Sequence, residues 1–478
     1  MFDPTRGPAR ERVDADELRA LQASGTLLVD GRRRRPLYFD GRFLAARDLV
    51  RDQNYFLTRQ ADLGQASGAG VVQGLMVRPG ESRQQLSIES GHGLTGHGEL
   101  VVLDAPVQVD LADIPTSQRL NASTGLLRIP AEPARTRSGI YILALRPLEY
   151  SANPIASYPT RIDGERSVND GDIIEATAVS LIPFPAAASP EERARARGQL
   201  AYRLFVDDAQ ALPDRVLPLA LVALSRGQID WLDVWLGRRE VGETASDWLG
   251  LGTPPRAARE AFLHQYDAHL QAILAAREGA GASPGFAASE YFQALPPAGR
   301  LPAAAIDPGN FSQRYFPPEL AVDLSIVAGD ELSALVAESL LLPPIDLGVS
   351  AGSLEATAVQ ILVPVARARL RELQASLQDL GRELRPAAPN RVAARRPLEA
   401  LQSLTLGRLP VPTTDTAADA AWRQLLQEED LYWYVRRRNL HYSAEVVATP
   451  AQVVSDDADL DTRVENRIGE LQIATRYN

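Results

Sequence analysis

The chain has 478 residues, with 50 basic against 61 acidic side chains and a formal net charge of −11. That length suggests two to four domains. Its 45% hydrophobic content excludes a disordered chain, and its acidic balance argues against bulk binding to nucleic acid or anionic membrane. It contains no cysteine and no lysine, every basic side chain being arginine, which excludes disulfides, thiolate metal sites, cysteine nucleophiles, Schiff-base lysines and a P-loop lysine.

In chain order, residues 1–36 read as an Arg-rich arm that ends in Arg32-Arg33-Arg34-Arg35 before Pro36. Such a run serves as a solvated face or, less commonly, as a phosphate contact. Met1 to Ala20 is polar and lacks the apolar centre of a signal peptide, and no stretch reaches the ~20 apolar residues of a membrane span. A cytoplasmic product without direct membrane insertion is expected.

Residues 45–64 read as a helix in which Leu49, Phe56 and Leu63 recur every seventh position, with Gln53 and Gln60 in the seam. Polar seam residues specify register at a cost in stability, but two heptads are too few for a coiled coil, and packing of this helix on the following domain is expected. From 70 to about 235, short apolar runs alternate with turn signals: Val71-Val72, Leu86 to Ile88, Leu100 to Leu103, Val107 to Leu111, Gly139 to Leu145, Ile173 to Leu181 and Leu217 to Leu224. That spacing predicts an antiparallel β-sandwich-like domain, interrupted by a short helix-prone segment at Glu191 to Arg197.

Residues 257–278 read as a helix, preceded by Pro254-Pro255 and closed by Gly279, and Gly279 to Gly285 reads as a linker. Beyond it come a strand at Ala321 to Val327, a helix from Asp330 to Leu341 capped by Asp330, and a strand at Thr357 to Val363. A helix over 365–380 carries Ala366, Leu370, Leu373, Leu377 and Leu380, and a last helix spans 416–438. The fold class expected is α+β: an N-terminal helix, an antiparallel β-sandwich-like domain, a helical segment, then a smaller mixed α/β C-terminal domain. The divisions predicted are an arm at 1–36, a helix plus β-rich domain at 37–245, a helix and linker at 246–285, and the C-terminal domain at 286–478.

Three patterns suggest chemistry and meet a plainer reading. Gly91-His92-Gly93-Leu94-Thr95-Gly96 matches the dinucleotide spacing, but a strand-like Glu99 to Leu103 follows where that site needs a helix, so a turn between strands is expected and no cofactor. His92 and His97 flank it without the three or four ligands of a metal site. His264 and His269 lie about 140° apart on their helix and share no face.

Gly348-Val349-Ser350-Ala351-Gly352 matches a nucleophile elbow, and Asp430 and His441 follow in the order of a Ser…Asp…His triad. The strand–turn–helix context is missing, so a serine hydrolase is the lesser reading and a non-enzymatic chain the expected one. Tyr432, Trp433, Tyr434, Arg436, Arg437 and Arg438 are the candidate assembly surface, because Tyr, Trp and Arg carry most binding energy at interfaces. On a helix, three successive aromatics cannot share one face, and a helix that buries its aromatics and ends in cations favourable to its dipole is an equal and compatible reading.

Several segments resemble a known family. Tyr38-Phe39-Asp40-Gly41-Arg42-Phe43-Leu44-Ala45-Ala46-Arg47-Asp48-Leu49 with Gln53-Asn54-Tyr55, and Gly68-Ala69-Gly70-Val71-Val72-Gln73-Gly74-Leu75-Met76-Val77, are similar to signatures of structural proteins of contractile phage tails and phage-tail-like contractile injection systems. Gly139 to Tyr150, Leu217 to Val222 with Arg238-Arg239, Leu295 to Pro302, and Tyr315-Phe316-Pro317-Pro318 resemble later stations of the same family. Ala69 stands where the family has a bulky residue, and the His92–His97 turn stands where it often has Gly-x-Ala-Ile-Asp.

The resemblance implies a structural component at or near a baseplate. Its partners would be other baseplate or tail subunits and copies of itself, not nucleic acid. It would assemble in the cytoplasm and then belong to the particle, including outside the cell. A carbohydrate- or receptor-binding fibre-like module and an effector-loading adaptor of the same particle are the alternatives. Gly68, Gly70, Val71, Val72, Gly74 and Leu75 also have a reading independent of the family: a helix ends there and a strand starts sharply against it.

Overall fold

The computed structural model describes residues 14–114, 137–157, 167–184, 190–207, 212–242, 254–349, 354, 357–377, 380–386, 417–428 and 431–437. The arm carries α1 (Ala15–Ala23), which starts where the Asp14 carboxylate accepts from the Asp16 N–H at 3.1 Å. A 3-10 turn at Gly31–Arg33 then leads to α2 (Ala46–Ser67). Asp48 in the first turn of α2 accepts from the Ala45 N–H at 3.3 Å and pairs with Arg42 at 2.9 Å. The Ala45 N–H and then the arginine hold its carboxyl below the usual range, and a negative charge there suits the helix dipole.

Two small antiparallel sheets follow. One orders β1 (Gly70–Gly74), β4 (Gly91–Leu94) and β5 (Leu100–Leu103), and the other β2 (Val77–Pro79), β3 (Gln85–Ile88) and β6 (Val107–Asp110). Both face a four-stranded antiparallel sheet in the order β10-β9-β7-β8, from β7 (Gly139–Ser157), β8 (Ser167–Phe184), β9 (Leu217–Ser225) and β10 (Gln228–Asp233). Val71, Leu75, Leu86, Ile88 and Val101 meet Leu143, Leu145, Leu219 and Val222 between the layers. The other face of the large sheet packs Ile140, Ile142, Leu221 and Ala223 on α3 (Pro190–Phe205).

Covered on both faces, β9 is apolar almost throughout, as a strand buried twice must be. The helix α3 spans sixteen residues rather than the short segment expected, because Ala196, Leu200, Ala201 and Phe205 continue its apolar stripe. The β7–β8 hairpin runs on past the core, with Ile155, Val168 and Ile173 exposed. A polar ladder that includes Asn153 Nδ2 donating to Asp172 at 2.6 Å holds this outer half.

After the short α4 (Val234–Gly237), α5 (Arg256–Gly279) buries Phe262 toward the first layers and Tyr266, Leu270 and Ile273 toward the second half. There β11 (Ala294–Leu295) pairs with β16 (Ile345–Asp346), and β13 (Ile306–Asp307), β14 (Ser312–Gln313) and β19 (Arg385–Pro386) make a rim. The main sheet is mixed, ordered β12-β20-β17-β15-β18, from β12 (Ala298–Pro302), β15 (Ala321–Ala328), β17 (Ala358–Val365), β18 (Gly381–Glu383) and β20 (Leu431–Arg437). The strands β15 and β17 are parallel and are joined across α6 (Leu332–Ser339), as a parallel pair requires. The chain is therefore α+β, with an N-terminal helix ahead of its β-rich region.

Three sequence expectations need correction. The span 416–438 is not one helix: a helix at Ala417–Glu428 gives way to β20. Trp422, Leu425 and Leu426 do keep helical spacing, but Tyr432, Trp433, Tyr434 and Val435 are aromatic and β-branched types that a strand prefers. Asp330 does not cap α6, whose preceding residue Glu331 makes no side-chain cap bond; both acids instead pair with Arg367, at 2.9 and 2.8 Å. The helix expected over 365–380 ends at Ser376, and Leu377 turns extended and enters the core.

The turn from β1 into β2 fixes a glycine at Gly74. Its φ is +64°, and an added Cβ would stand 1.9 Å from the Ser90 carbonyl oxygen. Gly281 has a similar φ of +63° with nothing within 4 Å. Gly74→Ala is expected to destabilise by more than ~2 kcal/mol, and Gly281→Ala by only ~1 kcal/mol. Urea unfolding of both variants checks this, and equal losses would show that the close approach is not what constrains Gly74.

Candidate functional site

The six residues expected to form an aromatic–arginine surface are mostly interior. In β20 the side chains alternate, so Tyr432 and Tyr434 share one face and are fully buried there. The Tyr432 hydroxyl donates to the Leu426 carbonyl, and the Tyr434 hydroxyl donates to the Pro296 carbonyl at 3.1 Å. Tyr434 lies edge-on to Tyr266 and Phe316, with centroids 5.9 and 5.3 Å away, and burial pushes the Tyr434 and Tyr266 phenols well above their usual pKa.

Trp433 points to the other face, half-buried, with the Arg300 guanidinium 5.6 Å from its ring centroid. Arg436 donates to the Pro343 and Pro344 carbonyls at 2.6 and 2.9 Å, and burial lowers its pKa. Arg437 pairs with Asp323 at 2.6 Å, and Arg438 lies outside the described residues. As a joint surface the set is overturned: two members are core, and two arginines are engaged within the chain. The error follows from the helix assignment, because period two, not 3.6, sorts these side chains.

The glycine motif joins α2 to β1. Gly68 ends α2 with φ +84°. One residue into β1, the Val71 N–H donates to the Arg239 carbonyl at 2.8 Å and its own carbonyl accepts from Val241 at 2.9 Å. A Cβ on Gly70 would stand 2.7 Å from the Glu240 carbonyl carbon, so this strand start needs a residue without one. Val71 and Leu75 are buried, whereas Val72 faces solvent.

Sequence reading missed the strongest buried polar centre. Asp233 is 1% exposed. Its Oδ1 accepts from the Trp235 and Leu236 N–H groups at 3.1 and 3.2 Å, which caps α4. Its Oδ2 accepts from Arg197 Nε on α3 at 2.6 Å and from Gln265 Nε2 on α5 at 3.1 Å. The signal was a lone acid in the apolar run Trp231-Leu232-Asp233-Val234-Trp235-Leu236, since buried acids are almost always paired.

Nearby, Arg239 Nη1 donates to the Trp235 carbonyl at 2.8 Å and its guanidinium sits 4.6 Å from the Phe205 centroid; burial lowers its pKa to about 10, still charged at neutral pH. His269 is buried against Phe292 at 5.0 Å, and its Nδ1 has no hydrogen-bond partner among the described residues. Burial first, and the Arg197 charge second, push its pKa down to about 3, so it is neutral.

The remaining sequence candidates do not converge. His92 lies in β4 opposite Val102, and His97 Nε2 stands 3.8 Å from Asp214 Oδ2. Among the described residues no cluster of metal-ligating side chains occurs. Gly91 to Leu94 form a strand, with the turn falling after Thr95, and no helix begins there. His264 stacks on Trp235 at 4.5 Å. Ser350, Asp430 and His441 lie outside the described residues; the strand before Ser350 is only two residues long and pairs with β11 alone.

The exposed apolar surface lies elsewhere, on the arm and α2. Along the 22 residues of α2 only Asp48 and Gly64 are buried. Leu49, Phe56 and Leu63, the seam read from the sequence, are 52%, 57% and 68% exposed, so the expected packing of this row on the following domain is corrected. Leu37, Tyr38, Phe39, Phe43 and Leu44 of the arm are exposed as well. A face of this kind on a folded chain marks an interaction site.

The chain is similar to baseplate proteins of the type VI secretion system. A crystal structure of TssK matches at 13% identity and a TM-score of 0.22, over 54% of this chain and 52% of that one. The TssK-TssF-TssG baseplate subcomplex of that system matches at 17% and 0.23, over 50% and 69%, and its baseplate complex at 12% and 0.22, over 50% and 67%. This chain thus spans about half the length of the first TssK chain it matches. No protein-family model and no curated protein matches the sequence. At these identities and TM-scores the likeness assigns no function, which has to come from the chain's own surfaces. Among the described residues no helix is long and apolar enough to cross a membrane.

Two outcomes follow for the buried centre. Asp233→Ala strands Arg197 without its carboxylate and should cost ~3–5 kcal/mol in chemical denaturation; a loss below ~1 kcal/mol would mean that water replaces the acid. His269 binds no proton in the fold until about pH 3, whereas the unfolded chain takes one up near 6.5. Unfolded chains therefore bind more protons in that window, and the contribution is lost as pH falls from 6.5 toward 3. His269→Gln should flatten the stability–pH slope there by up to ~1.4 kcal/mol per pH unit relative to the unaltered chain, and parallel curves would refute a buried neutral imidazole.

Proposed function

We propose that this chain is a non-enzymatic structural subunit of a phage-tail-like contractile injection particle, placed at or near its baseplate. The observation that carries the reading is α2: a long helix, set on a well-packed body, whose heptad row Leu49, Phe56 and Leu63 faces solvent. Such a row with Gln53 and Gln60 between its members is built to meet another helix in one register. The motifs that resemble tail and baseplate proteins include this helix and the Gly70–Gly74 strand that anchors it. The buried polar centre supports a scaffold role: Asp233 is buried and engaged in holding three elements together.

The projecting half of the β7–β8 hairpin favours a second reading, a receptor- or cargo-contacting arm on the same particle, since Ile155, Val168 and Ile173 are exposed on it. The test is a Leu49→Ser/Phe56→Ser/Leu63→Ser variant, compared with the unaltered chain for melting and for recovery in purified particles. Incorporation is expected to fall about tenfold with melting unchanged, because exposed apolar side chains contribute little to the monomer. Full incorporation would refute α2 as the assembly element.

A further inference from the structure

A different face of α2 carries a second site. Arg47, Val50, Arg51, Asn54, Leu57 and Thr58 follow one another at helical spacing, and with Gly31, Arg32 and Arg34 of the arm they enclose an open groove of about 880 Å³. The groove turns away from Phe56, which lies about 100° around the helix from Leu57. It is cationic by construction. In the arginine run, Arg33 turns to Asp62 at 2.7 Å and Arg35 to the Tyr55 ring at 5.3 Å. Arg32 is partly neutralised by Asp30 at 3.3 Å, while Arg34, Arg47 and Arg51 form no ion pair with a described residue. Among the described residues no carboxylate lines the groove, although acids outnumber bases in the chain as a whole. Its wall is not wholly polar, since Val50 and Leu57 are 51% and 45% exposed between the cationic and amide or hydroxyl groups.

We propose that this groove receives an acidic amphipathic peptide segment of a neighbouring subunit. Carboxylates would lie against Arg34, Arg47 and Arg51, and apolar side chains against Val50 and Leu57. Arginines take carboxylates in forked, charge-assisted hydrogen bonds. A phosphate polymer or a lipid headgroup surface would satisfy the cations but leave Val50 and Leu57 facing charged oxygens. A segment that alternates acids with leucine-like residues satisfies both. The neighbour's being a particle subunit rests on the function proposed above. The groove itself is tested on the isolated full chain, so either idea can fail without the other.

The probe is a fluorescein-labelled helical peptide with Glu and Leu on one face, titrated by anisotropy at two salt concentrations. It should bind, and more weakly at high salt. The Glu-to-Gln version of the peptide should bind about tenfold more weakly. Arg34→Glu/Arg47→Glu/Arg51→Glu should lose about tenfold, and should bind the matching Lys/Leu peptide instead. Val50→Asn/Leu57→Asn should lose several-fold with the arginines intact. All these side chains but Thr58 are exposed, and unchanged melting of each variant confirms that the fold is kept. The proposal is overturned if affinity ignores the arginine changes, or if single-stranded DNA or phosphatidylglycerol vesicles bind more tightly than the peptide. It also falls if deleting residues 1–13 raises affinity about tenfold, which would show that the chain's own N-terminal segment is the occupant.

Discussion

One buried carboxylate joins the two halves of the molecule. Asp233 ends β10, caps α4, and holds Arg197 of α3 and Gln265 of α5 on a single oxygen. A buried charge is tolerated only when its bonding capacity is met, so these elements can move apart only by exposing an unpaired ion. One residue beyond Gln265, the Tyr266 side chain enters the aromatic core of the second half, where its hydroxyl meets the Arg300 carbonyl at 2.6 Å and the Tyr315 hydroxyl at 2.8 Å. The helix α5 therefore serves as a shared beam, polar at its contact with the β layers and aromatic at its contact with the mixed sheet.

Dense burial at that joint contrasts with the exposure of the arm and α2. The helix touches the body at its C-terminal end, where Gln65 Nε2 donates to the His97 carbonyl at 3.0 Å. Upstream it offers two different faces, an apolar heptad row and an arginine-lined groove. An element with so little intrachain burial contributes little to folding, and an exposed apolar face is of the kind that marks an interaction site. Arginine as the sole cation suits this arrangement, since it keeps its charge beside apolar neighbours and stacks on aromatic rings, as Arg35 does on Tyr55 and Arg300 on Trp433.

Much of this was legible beforehand. The heptad row, the strands of the β-rich region, the 257–278 helix and the sharp turn at Gly68–Gly74 all rest on local signals: hydrophobic period, proline and glycine position, and the backbone freedom of glycine. The C-terminal aromatic segment was misread for a physical reason. A strand buried on both faces carries an unbroken apolar run, and such a run next to a true helix has no period to separate the two. Asp233 was passed over because one acid among apolar residues says nothing of where its partners lie; Arg197 is 36 and Gln265 32 positions away in sequence.

The sequence by itself determined the α+β class, the absence of cysteine and lysine chemistry, the glycines at the start of β1, and a helix with an apolar seam. Those properties follow from residue type and spacing over a few turns of chain. Only the tertiary structure decided which apolar residues remain outside. It buried Tyr432 and Tyr434, engaged Arg436 and Arg437 within the chain, and left Leu49, Phe56 and Leu63 uncovered. Burial depends on which distant elements arrive at a side chain, and that is settled by the packing of whole layers rather than by any local run of residues.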